Sequence, residues 1–84
     1  MAGHILKTWP KPFQDILNGT KKYELRKDDR GFDVGDFLTL REWDPKTKQY
    51  TGRVILVKVI HITRYSDKFD GLKDNFVIMG IEFS

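Results

Sequence analysis

The run Arg53-Val54-Ile55-Leu56-Val57-Lys58-Val59-Ile60-His61-Ile62-Thr63-Arg64-Tyr65 decides the fold. It is long for a strand, whose usual length is about five or six residues. It is also apolar on both sides: Ile55, Val57 and Val59 alternate with Val54, Leu56, Ile60 and Ile62. A strand of this kind bends through a barrel, burying one side first and the other later. Upstream, Asp33-Val34-Gly35-Asp36 reads as a turn that launches a strand over Phe37–Asp44. Leu38 and Leu40 share one side of it, and Thr39, Arg41 and Trp43 the other. Asp44-Pro45 opens a loop expected to run to Tyr50-Thr51-Gly52. Downstream, Phe76–Phe83 supplies the last strand.

The front of the chain adds a helix. His4 to Trp9 reads as a short strand ended by Trp9-Pro10, because the residue before proline is held extended. Pro10 and Pro12 suit the first turn of a helix, and Phe13, Ile16 and Leu17 form an i, i+3, i+4 stripe that needs a sheet to pack on. Asn18-Gly19 closes the helix with a left-handed cap. Lys21–Lys27 is a further strand. The order β-α-β-β-β-β predicts an α+β, mostly β fold. The expected form is a small, mostly antiparallel barrel with one N-terminal helix and a cleft beside it, a single domain over residues 1–84.

The chemistry concentrates in residues 19–30, Gly-Thr-Lys-Lys-Tyr-Glu-Leu-Arg-Lys-Asp-Asp-Arg, with five cations and three anions directly after the helix end. On a strand, Lys22, Glu24 and Arg26 fall on one face, while Tyr23 and Leu25 fall on the other, where they can be buried. Lys21, at the entrance, can swing to either side.

Composition narrows the function. There is no cysteine, so neither a disulfide nor a thiolate zinc site is possible. His4 and His61 lie far apart, and no metal or other cofactor is expected. No apolar run approaches the roughly 18–20 residues that span a bilayer, and the N-terminus lacks the order of a signal peptide. The expectation is a soluble cytoplasmic protein with no membrane partner. The net charge is +3, unevenly spread. Lys46, Lys48, Arg53, Lys58 and Arg64 occupy the middle without an acid among them, whereas Asp67, Asp70, Asp74 and Glu82 outnumber Lys68 and Lys73 after Ser66. One positive surface favours a polyanionic partner.

The segments His-Ile-Leu-Lys, Asn-Gly-Thr-Lys-Lys-Tyr-Glu-Leu-Arg and Asp-Asp-Arg-Gly-Phe-Asp-Val-Gly-Asp resemble the ASCH family (activating signal cointegrator homology), a branch of the PUA-like superfamily. Leu-Arg-Glu-Trp-Asp and Tyr-Thr-Gly-Arg resemble a compact bacterial and phage-associated subgroup of unknown function. The signature G-x-K-x-x-E-x-R corresponds to Gly19, Lys21, Glu24 and Arg26. The resemblance implies a PUA-like β-barrel whose cleft binds RNA or a nucleotide. It also implies an enzymatic alternative, since some relatives cleave the acyl group from N4-acylated cytidine. In those a threonine three residues after the signature lysine is the nucleophile, assisted by the lysine and a later acid. Here Glu24 replaces that threonine, and the nearest later acid is Asp74. The hydroxyl route is closed to this chain.

Two readings follow. In the first, the domain binds RNA or a modified nucleotide through Lys21, Glu24 and Arg26, with Arg30, Trp43 and Arg53 as further contacts. Cations neutralise phosphates, Trp43 (with Tyr50 or Trp9 as alternatives) offers a stacking face, and Glu24 accepts a base N–H. In the second, a metal-independent amidohydrolase uses Glu24 as general base beside Lys21, with Tyr50 or Thr51 in support. A structural alternative makes Glu24 the partner of Lys22 and Arg26 on a solvated face, Asp28 a turn residue, and Arg30 a clamp on Asp36 or Glu42. Trp43 would then be packing at the barrel mouth, and His4 and His61 ordinary sheet residues.

Overall fold

The computed structural model describes residues 2–64 and 75–84. The long central strand is its spine. Six elements follow in order: β1 (Gly3–Thr8), α1 (Pro10–Leu17), β2 (Tyr23–Lys27), β3 (Phe37–Asp44), β4 (Gln49–Arg64) and β5 (Phe76–Phe83). The strands form one curled sheet, a half-barrel, in the order β1-β3-β4-β5-β2. β1 runs parallel to β3, and every other pairing is antiparallel. The mostly β fold with one short helix therefore stands as expected.

β4 starts earlier than its apolar run. The hairpin before it is tight, with Lys48 in the left-handed region at φ 57° and its N–H donating to Asp44 O at 2.8 Å. Residues 49–52 thus belong to the strand and not to a loop. Ile55, Val57 and Val59 turn into the core, while Val54, Leu56 and Ile60 face out. The register with β5 then shifts between Val59 and His61. That bulge reverses the phase, and Ile62 packs against the core. Gly80 sits opposite, where a Cβ would meet that of His61 at 3.4 Å. A methyl group there would just touch the bulge.

The core is one cluster drawn from every strand except β2, and from the helix and the β2–β3 loop. Phe13 and Ile16 bury the helix stripe, whereas Leu17 remains exposed. The helix ends in a Schellman arrangement: Gly19 (φ 80°) donates to Ile16 O and Thr20 to Asp15 O, each at 3.0 Å. Lys21 N–H also donates to Asp15 O at 3.0 Å, so the cap fixes where Lys21 leaves the helix.

β2 reverses the expected burial. Tyr23 and Leu25 are the exposed residues, at 49% and 51%, and Glu24 is 3% exposed. The cause is position in the sheet. Glu24 lies opposite Met79 and Arg26 opposite Val77, both fully buried on β5, so their side of the strand is the inner one. β2 and β1 are the two edges of the sheet. Arg26 Nη2 reaches across the seam to Lys7 O at 2.9 Å, and Arg30 Nη1 to Ile5 O at 3.2 Å. The inner face of β2 must be polar because it satisfies the β1 edge where no sixth strand does.

Among the described residues no helix is long and apolar enough to cross a membrane. Asp74, Tyr65 and the acidic residues Asp67 and Asp70 lie outside the described residues.

Candidate functional site in the seam between the edge strands

Three carboxylates lie buried on the inner side of the sheet, and their partners differ. Asp36 closes the β2–β3 loop. Its Oδ1 accepts the Ala2 N–H at 2.9 Å, while Oδ2 pairs with His4 Nε2 at 2.9 Å and accepts the Asp33 N–H at 3.0 Å. Burial pushes the Asp36 carboxyl up, but these hydrogen bonds and the His4 contact outweigh it and hold the group below its ordinary range. His4 in turn packs edge-on against Phe32. His4 is a satisfied sheet residue.

Glu42 is the second. It follows Leu38 and Leu40 on the inner side of β3, next to the register shift between Arg41 and Trp43. Arg53 grips it with two bonds, Nε to Oε1 at 2.9 Å and Nη2 to Oε2 at 3.0 Å. Thr51 Oγ1 donates to Oε1 at 2.7 Å. Arg53 also donates to Gln14 Oε1 on the helix at 3.0 Å and lies over the Phe13 ring. The Arg53 and Thr51 hydrogen bonds keep the Glu42 carboxyl below its usual value, and the same pairing raises Arg53 further. Arg53 bridges sheet and helix through Glu42 and Gln14, away from the lining of the depression over Glu24.

Glu24 is the third, and its coordination is incomplete. Arg26 Nε donates to Oε2 at 2.8 Å. Oε1 makes no hydrogen bond among the described residues; Lys21 Nζ stands 3.9 Å from it, an ion pair beyond hydrogen-bonding distance. Lys22, the other expected partner, is exposed and takes no part. The face is not solvated, and the Glu24–Arg26 pair is not a surface salt bridge. Arg26 is fixed by Lys7 O and by Thr8 Oγ1 at 3.3 Å.

An open depression of about 390 Å³ lies over this pair. Lys21, Glu24 and Arg26 form one side of it, and the β1 end, Lys7 to Trp9, the other. Pro12 and Leu25 complete the lining, and Trp9, 57% exposed, stands at the lip. Three of the six expected site residues thus meet here. Trp9 carried little sequence signal beyond being an aromatic before proline, and Thr8 carried none.

The remaining candidates lie elsewhere. Trp43 packs edge-on against Tyr50 with centroids 5.0 Å apart and carries Lys7 Nζ 4.2 Å above its ring. It is absent from the depression lining. Arg30 clamps neither Asp36 nor Glu42. It bonds Ile5 O and approaches Asp29 at 3.7 Å, further along the seam. Asp28 is a turn residue, its Oδ1 accepting the Gly31 and Phe32 N–H groups at 3.1 Å. Thr51 serves Glu42, and His61 is exposed. No group of metal ligands occurs among the described residues.

A half-barrel with a buried carboxylate at its seam, one oxygen of which faces the depression, is the class that fold and site define. Residues 3–81 match the family described as Domain of unknown function (DUF3850), and the chain belongs to it. It is also similar to the "Uncharacterized 12.9 kDa protein in GpA 3'region" of Escherichia phage P2, at 38% identity over 64 residues. That alignment covers 76% of this chain and 57% of the phage protein, so the chain spans little more than half the length of that relative.

Proposed function

We propose that the chain is an ASCH-type, PUA-related domain that binds RNA or a nucleotide in the seam depression, using Glu24 to select the base. The observation that carries this reading is Glu24 Oε1, which makes no hydrogen bond among the described residues although its side chain is only 4% exposed. A carboxylate held in this way has lone pairs directed at a ligand that brings an N–H, such as an exocyclic amine. The Arg26 hydrogen bond to Oε2 holds it aimed. Trp9, not Trp43, supplies the stacking face, with about 1–3 kcal/mol expected per stacked base. Lys21 beside Oε1 takes the phosphate.

Titration of fluorescent single-stranded RNA at low and physiological salt tests this. Wild type is expected to bind with salt-dependent affinity. Lys21→Ala weakens binding and flattens its salt slope, Trp9→Ala weakens it, and Trp43→Ala leaves it unchanged. RNA binding that ignores Lys21, Glu24 and Trp9 would move the site elsewhere. Incubation with N4-acetylcytidine tests the enzyme alternative: release of acetate that depends on Glu24 would replace the binding reading with a hydrolase.

A further inference from the structure

A second hollow, of about 300 Å³, lies between the end of the helix, the middle of β4 and the end of β5. Its floor is apolar and buried, formed by Ile16, Val57 and Ile81 at 2%, 1% and 5% exposure. Phe83, 55% exposed, forms part of its wall. The polar groups are at the rim: Lys21, Lys22 and one carboxylate, Glu82. Lys21 lines both hollows. Its Nζ sits 3.9 Å from Glu24 Oε1 and 5.1 Å from the Tyr23 ring centroid, so the cation stands at the divide between them.

We infer that the two hollows are adjacent subsites for one strand, so that the ligand is at least a dinucleotide and not a free nucleoside. This rests on the nucleotide reading of the seam. One base enters the depression over Glu24 and stacks on Trp9. The phosphodiester crosses Lys21 and Lys22; with Arg26 and Lys7 the linings of the two hollows carry four positive charges against the two negative charges of Glu24 and Glu82. The next base lies on the apolar floor against Phe83. The division of chemistry supports the assignment. The first hollow has a selective acceptor, while the second has an aromatic and no buried polar group, which suits a base held by stacking without discrimination. The Schellman cap sets the spacing, because it fixes the backbone from which both lysines depart.

Calorimetry with the four ribonucleoside 5′-monophosphates and the sixteen NpN dinucleoside monophosphates tests the inference. A mononucleotide carries the more highly charged phosphate, so any advantage of NpN is not electrostatic. The best NpN is expected to bind about tenfold tighter than the best mononucleotide. Phe83→Ala should remove that advantage and leave mononucleotide affinity intact. Phe83→Leu, which keeps apolar volume, should remove most of it, and guards against an effect of lost packing. Glu24→Gln should weaken both ligand classes. Equal affinity for NpN and mononucleotide, or a Phe83→Ala loss shared by both, would overturn the two-subsite inference while leaving the seam site standing. Failure of every ligand to bind would overturn both.

Discussion

Glu24–Arg26 and Glu42–Arg53 are the same pair of residue types, both reached from the inner side of the sheet, and they do different work. Around Glu42 the geometry is closed. Both oxygens are engaged by the arginine fork, and a threonine hydroxyl adds a third bond. Around Glu24 the arginine approaches one oxygen only, because its Nη2 is drawn to the β1 backbone, and the second oxygen opens on the depression. A saturated carboxylate holds elements together. One held through a single oxygen leaves the other facing the depression. The difference arises from the third partner and not from the pair, which is why burial and pairing alone do not identify a site.

The strongest way to break this comparison is to remove the carboxylates. Glu42→Ala deprives Thr51 and the helix-bridging Arg53 of their acceptor, and should cost on the order of 2 kcal/mol in urea unfolding. Glu24→Ala should cost less than about 1 kcal/mol, since Arg26 keeps Lys7 O and Thr8. Equal losses would erase the distinction between clamp and site. In binding the order reverses: Glu24→Gln should lower affinity for RNA about tenfold, while Glu42→Gln leaves it unchanged when measured on folded protein. Thr51→Val sharpens the contrast from the saturated side. It removes one donor but leaves the arginine fork, and should lower stability by about 1 kcal/mol without touching RNA affinity.

The smallest effect is in acid. Asp36 and Glu42 have carboxyls below their ordinary values, so between the folded and unfolded pKa the unfolded chain binds more protons. The stability they contribute is present above the unfolded values and lost as pH falls through the folded ones, from about pH 5 downward. Urea midpoints across that range should fall less steeply for Asp36→Asn and for Glu42→Gln than for wild type. Unchanged slopes would mean that neither carboxylate governs the acid limb.

Much of the frame was legible because it is local. Pro10 and Asn18-Gly19 mark the helix ends, Leu38 and Leu40 name the inner side of β3, and the two-sided apolar run required a bend in β4. The phase of β2 was not legible. Alternation separates Tyr23 and Leu25 from Glu24 and Arg26, but the choice of inner side depends on which strand becomes an edge. Hydrophobicity favours the wrong one. The pairing of Arg53 with Glu42 was not legible for a related reason. Glu42 lies across a hairpin whose register depends on a tight turn and a bulge, and neither is visible in composition. Trp9 and not Trp43 lines the depression, because proximity to the seam is a property of the sheet order.

The seam clamp grips main chain. Arg26 and Arg30 hold the carbonyls of Lys7 and Ile5, atoms that every amino acid provides. The exposed side chain at position 5 is therefore free to drift or to be rewritten without loosening the closure. The arginines themselves tolerate no such exchange, because lysine lacks the planar fork that lets Arg26 serve Glu24 and β1 together. Selection or design can change what this edge displays while the frame behind it stays constant.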